Sequence, residues 1–128
     1  MKKDWYTTLS RRERQIMDII YQSGGATVGD VIEEMHDAPT YSSVRALMNI
    51  LKDKGHLKTK KKGARYQYLP TRARKEAARP ALKRVMETFF DNSVEKTVAA
   101  LLRTADANLS EQECERLSEL INKAKNQG

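Results

Sequence analysis

Four apolar residues in "YSSVRALMNILKDKG", namely Val44, Leu47, Met48 and Leu51, recur at i, i+3, i+4 and i+7. That spacing sets them on one stripe of a helix, which needs other elements to cover it. Thr40 or Ser42 is the N-cap and Gly55 the stop. The opposite side constrains the chain further: Ser42, Ser43, Arg45, Ala46 and Asn49 are small or hydrogen-bonding, with no acid among them. A helix that merely faces solvent usually carries Glu and Lys in i, i+4 pairs. Short polar groups at its N-terminal end suit close approach to another surface.

Two covering segments precede it. "LSRRERQIMDIIYQSGG" has Ser10 and Glu13 in capping-box spacing, Leu9, Ile16, Met17, Ile20 and Tyr21 on one helical face, and Gly24 and Gly25 as its stop. "ATVGDVIEEMHD" offers Thr27 as N-cap with Asp30 three residues on, then Val28, Val31, Ile32 and Met35; Pro39 closes it. After the third helix, "HLKTK" and "RYQYLP" read as two short strands joined by a turn over "KKGA". Leu57, Tyr66 and Tyr68 are expected to anchor this hairpin to the helices, leaving Lys60, Lys61, Lys62 and Arg65 as a basic tip. The expected order is three helices and a basic hairpin.

Charge follows the same division. The net charge is +7, yet residues 1–84 hold 19 Lys and Arg against 9 Asp and Glu, a balance of +10, whereas residues 85–128 hold 5 against 8, a balance of −3. Basic charge confined to one region is the footprint of a nucleic-acid or anionic-surface binder, with solubility alone as the competing reading.

Beyond "LPT" the texture changes. "TRARKEAARPALKRVMETFF" is helical apart from Pro80, which either kinks one helix or starts a second. Its apolar residues include Leu82, Val85, Met86, Phe89 and Phe90; after the break at "DNS" a further helix carries Val94, Val98, Leu101 and Leu102. "TADAN" then separates it from a last helix, opened by Ser110 and Glu113 and carrying Cys114, Leu117, Leu120 and Ile121. Three such segments cannot enclose a core alone, so their stripes are expected to face a partner chain. Cys114, on such a stripe, is read as packing rather than as a reactive thiol.

Other function classes find little support. "GGATVG" lacks the Lys-Ser/Thr of a P-loop, and no GxSxG, HExxH or CxxC occurs, so the chain is not read as an enzyme. His36 and His56 stand apart from any ligand cluster, and no metal or other cofactor is expected. One cysteine forms no internal disulfide, no apolar run approaches the ~20 residues a membrane span needs, and the N-terminus lacks a signal-peptide core. A cytoplasmic protein without membrane insertion is expected.

"LSRRERQIMDIIY", "YSSVRALMNILKDKGHL" and "KKGARYQY", in this order, resemble the penicillinase repressor family, and "TFFDNS" and "LSEQECERLSELI" extend the likeness to the C-terminal region. The resemblance implies a mainly α fold with a small β-hairpin: a winged helix-turn-helix over residues 1–70 and a helical dimerisation region over 71–128. It also implies a homodimeric repressor on a dyad-symmetric, double-stranded operator. Carried onto this sequence, Tyr41 to Lys54 is the recognition helix and Leu57 to Leu69 the wing. Thr27, Thr40, Ser42, Ser43, Arg45, Ala46, Asn49, Lys60, Lys61, Lys62 and Arg65 are the DNA-binding set. Within it Arg45 and Asn49 are the candidates for base edges, Arg favouring guanine and Asn adenine. Leu82, Met86, Phe89, Phe90, Val94, Val98, Leu101, Leu102, Leu117, Leu120 and Ile121 form the dimer interface.

The chain departs from the family in four places. Ile50 stands where an arginine is frequent, and Gly63-Ala64-Arg65 shifts the wing arginine by one. "VAALLRTA" lacks the Asn-Phe bond cut in β-lactam-responsive members, so a regulatory protease partner is unassigned. The cysteine cluster of copper-responsive members is absent. A protein-interaction module with a basic face used for solubility is the competing function, and an RNA-binding role would need exposed tyrosines.

Overall fold

The computed structural model describes residues 5–104 and 108–127. A short 3-10 turn over Trp5–Thr8 leads into α1 (Arg11–Ser23), α2 (Val28–Glu34) and α3 (Tyr41–Asp53). A hairpin of β1 (Leu57–Lys62) and β2 (Arg65–Pro70) follows, then α4 (Arg74–Phe89), α5 (Val94–Thr104) and α6 (Glu111–Asn126). The fold is mainly α with one small hairpin, a winged helix. The centre of the "TADAN" break, residues 105–107, lies outside the described residues.

Local sequence explains where the helices begin. The Ser10 hydroxyl accepts from the Glu13 N–H at 3.2 Å while Glu13 Oε1 accepts from the Ser10 N–H at 2.8 Å. Thr27 and Asp30 repeat this reciprocal cap at 3.1 and 3.0 Å. Of the two candidates for α3, Thr40 is the cap, its Oγ1 accepting from the Ser43 N–H at 3.2 Å. Such caps satisfy N–H groups that the helix leaves unpaired, at about 1 kcal/mol each.

The core lies where the apolar stripes of α1, α2 and α3 meet. Ile16, Met17, Ile20, Val31, Val44, Met48 and Leu51 have essentially no exposed surface. Leu9, Met35, Leu57 and Tyr68 close the cluster. Each fully buried aliphatic side chain contributes about 1.5–3 kcal/mol.

The hairpin is antiparallel from Leu57↔Pro70 to Lys62↔Arg65, which leaves only Gly63 and Ala64 in its turn. Gly63 has φ +63° and Ala64 is not in the positive region, the pattern of a two-residue type II′ turn. Lys61 and Lys62 therefore belong to β1 and not to the turn. Ala26 joins the sheet as an isolated bridge, its N–H donating to the Tyr68 carbonyl at 3.0 Å and its carbonyl accepting from the Tyr68 N–H at 2.8 Å. A Cβ at Gly25, just before it, would lie 2.6 Å from Leu69 Cδ2 and 2.9 Å from Gln67 Nε2, so a side chain there would displace these two side-chain ends.

A further expectation about the hairpin is corrected, and one alternative for α4 is decided. Tyr68 is buried as an anchor, but Tyr66 is 59% exposed. Both share a hairpin face, since Tyr68 pairs with Thr59 and Tyr66 with Lys61; two pairs beyond Tyr68, the hairpin has outrun the core. Pro80 starts no second helix, because α4 runs through it.

The chain forms two compact units, Met1–Arg84 and Val85–Gly128. In the first, the Tyr21 hydroxyl donates to the Arg72 carbonyl at 3.2 Å and the Arg74 guanidinium donates to the Tyr21 carbonyl. Buried His56 meets the Trp5 ring at a centroid distance of 5.0 Å and Arg72 Nη1 at 2.8 Å from its Nδ1. Arg72 lies over the Trp5 ring, 4.3 Å from its centroid, a cation–π contact.

In the second unit Asp91 and Asn92, at φ 52° and 57°, turn the chain between α4 and α5; these are the side chains that best tolerate that region. Among the described residues there, Thr97 is buried, its hydroxyl donating to the Ser93 carbonyl at 2.7 Å. Cys114 is exposed in the single chain. Among the described residues no helix is long and apolar enough to cross a membrane.

Candidate nucleic-acid interface

The N-terminal half of α3, the N-terminus of α2 and the hairpin enclose an open cleft of about 430 Å³, lined by Thr27, Tyr41, Arg45, Arg65, Tyr66 and Tyr68 among others. Three of these, Thr27, Arg45 and Arg65, are among the residues the sequence singles out. Tyr41 and Tyr66 were not singled out as site residues, and both stand more than half exposed at the cleft. Tyr41 gave a faint signal as the bulky first residue of a helix whose outer face is otherwise small. Tyr66 gave none, because alternation with Tyr68 assigns it to the core side.

The other predicted residues of α3 lie on its exposed surface: Ser42, Ser43, Ala46 and Asn49 face away from the core residues Val44, Met48 and Leu51. Thr40 caps the helix, and its hydroxyl donates to Ser43 Oγ at 3.0 Å, so these two hydroxyls engage each other. The Tyr68 hydroxyl donates to Asn49 Oδ1 at 2.8 Å and ties strand β2 to this face of α3.

On the hairpin, Lys60, Lys61, Lys62 and Arg65 are all exposed. Lys61 stands opposite Tyr66 and Lys62 opposite Arg65. Among the described residues, the side chains of these four and of Arg45 enter no hydrogen bond or ion pair. Asp30, exposed beside them, caps α2. Asp30 accepts from the Thr27 N–H, which holds its carboxyl below the usual range; the Thr27 hydroxyl adds to this, slight burial opposes it, and Lys62 and Arg65 lower it further. The cleft thus presents positive charge, hydroxyls and two aromatic faces, with no acid in its lining and Asp30 beside it, an arrangement suited to a polyanion whose bases are also reached.

The apolar residues assigned to a partner are placed on α4, α5 and α6. Leu82, Phe89, Val94, Val98, Leu101, Leu102, Leu117, Leu120 and Ile121 are exposed, while Met86 and Phe90 are half-buried. Sequence reasoning did not single out the Trp5, His56 and Arg72 cluster; a lone histidine and a lone tryptophan far apart in the chain carry no local pattern. Among the described residues no group of three His, Cys, Asp or Glu side chains comes together.

A search of curated proteins gives no significant match. Among solved structures 14 chains match. One, described as "Mechanism for regulation of DNA binding of Bordetella bronchiseptica BpsR by 6-hydroxynicotinic acid", shares 14% identity at a TM-score of 0.48, covering 92% of this chain and 76% of that one. The family model described as penicillinase repressor matches residues 9–123, which take in all three core helices, the hairpin and nearly all of α6. The chain therefore belongs to the penicillinase repressor family and is a winged-helix, DNA-binding transcriptional regulator.

Proposed function

We propose that the protein acts as a homodimeric repressor that occupies a dyad-symmetric operator. Each protomer sets the N-terminal half of α3 in a major groove and lays the hairpin along the neighbouring phosphates. The observation that carries this is the convergence of Arg45 and Arg65 on one cleft whose lining holds no acid. Arg45 on the outer face of α3 reaches base edges, where a guanidinium pairs with guanine O6 and N7. Lys60, Lys61, Lys62 and Arg65 meet phosphate oxygens, with Ser42 and Thr27 adding hydroxyls at helix N-termini. The helices beyond Pro70 supply the partner contact that spaces two α3 helices by about 34 Å, one turn of DNA.

Selection of bound sequences from a random duplex library tests this reading. An enriched inverted repeat, bound with an affinity that falls steeply with salt, is the expected result. Binding indifferent to salt would support a protein partner instead. Because the exposed Tyr66 meets the condition that base stacking sets, a single-stranded RNA belongs among the competitors, and its preferential binding would replace the duplex reading.

A further inference from the structure

We infer that Tyr68 is a positioning residue for base readout: its buried hydroxyl fixes the Asn49 amide so that the NH₂ group, and not the carbonyl oxygen, leads into the DNA. This inference rests on the proposed placement of α3 in the major groove.

Tyr68 is a rigid platform. Its ring is buried, and its backbone is held on one side by pairing with Thr59 and on the other by two hydrogen bonds to Ala26. Burial raises its phenol above the ordinary range, with Arg45 opposing and Tyr41 adding, so the hydroxyl keeps its proton. Asn49 is the exposed member of the pair, one helical turn beyond Arg45 on the same outer face. Its Oδ1 accepts a hydrogen bond from the Tyr68 hydroxyl at 2.8 Å.

An unrestrained Asn presents either end of its amide, or both ends to adenine. With Oδ1 engaged from below, the two Nδ2 hydrogens point outward. The favoured base facing Asn49 then offers an acceptor to the major groove: guanine through O6 and N7, adenine through N7, thymine through O4. Cytosine offers only its N4 donor and is rejected. Tyr68 thus narrows what a neighbouring residue reads without touching DNA, and it does so from the wing, so that wing and recognition helix are set as one unit.

The test uses the full chain and a duplex enriched from a random library, together with its single-base variants, at several salt concentrations. Tyr68→Phe keeps the ring and removes the hydroxyl. It is expected to lower discrimination against cytosine at one position per half-site by roughly five-fold or more, with the salt slope unchanged. Asn49→Ala is expected to lose discrimination at that same position, and the double variant to lose no more than Asn49→Ala alone. Asn49→Asp, on the surface and away from the core, keeps an acceptor for Tyr68 but removes the NH₂, and is expected to turn the preference toward cytosine. Wild-type discrimination in Tyr68→Phe, or no change of preference in Asn49→Asp, overturns the positioning role. If Arg45→Ala still impairs binding in that case, α3 remains the reader; if Arg45→Ala and Asn49→Ala both bind as wild type, both readings fail.

Discussion

Lys54 Nζ lies 2.9 Å from Glu13 Oε2 and joins the C-terminal end of α3 to the first turn of α1. Burial pushes the Glu13 carboxyl up, but the Ser10 N–H and the Lys54 ammonium outweigh it and hold the group below the usual range. Its stabilising effect is present above about pH 4.5, the unperturbed value, and is lost as pH falls through the lowered one. Lys54→Ala leaves a buried carboxylate supported only by its cap. A loss of about 1–2 kcal/mol is expected, measured by urea unfolding at neutral pH, and Glu13→Gln should make the Lys54 substitution nearly silent.

On the proposed placement of α3, the cleft separates two kinds of DNA contact. Arg45→Ala is expected to cost about 1–3 kcal/mol on the preferred duplex and to relax sequence preference. Lys61→Ala is expected to weaken all duplexes alike and reduce the salt slope by about 1. Anisotropy titrations of both variants across a salt series check this. Unchanged affinity in both would remove the cleft from the DNA contact.

Much of the fold is written locally. The Ser10 and Glu13 box, the Thr27 and Asp30 box, and the stripe of Val44, Met48 and Leu51 announce helices because caps and periodicity act within one or two turns. The outer face of α3 was legible for the same reason. Tyr66 was not, because alternation reports which side of a strand a residue takes and not where the core beneath it stops. The Tyr68 to Asn49 hydrogen bond and the Trp5, His56 and Arg72 cluster join residues 16 or more positions apart in sequence, beyond the reach of any spacing rule.

His56 makes stability depend on pH near neutrality. Burial lowers its pKa, and the charges of Arg72 and Lys54 lower it further, with only Glu13 opposing. Neutral His56 accepts from Arg72 through Nδ1; the protonated ring would face a guanidinium instead. The unfolded chain takes up this proton first, so the contribution is complete above the ordinary value of 6.5 and declines as pH falls below it. Melting temperature is expected to drop between about pH 7.5 and about pH 5.5. His56→Gln, which keeps an acceptor but does not titrate, is expected to flatten that drop in a thermal scan.

The apolar stripes of the C-terminal helices set the last prediction. Phe89 and Leu120 are 74% and 62% exposed, and residues 85–128 carry a balance of −3, so this surface neither closes on a core of its own nor attracts DNA. Covering each such side chain with a second copy is worth up to about 1.5–3 kcal/mol, whereas an aspartate there would enter the contact as an unpaired charge. Phe89→Asp and Leu120→Asp are therefore expected to shift sedimentation from dimer to monomer. They should also lower affinity for a duplex with two half-sites to that for one half-site, leaving the helical circular dichroism of α1 to α3 in place. Glu119→Ala, beside the stripe and not on it, is the control expected to remain dimeric. Dimers that persist in both aspartate variants would place the partner contact elsewhere on the chain.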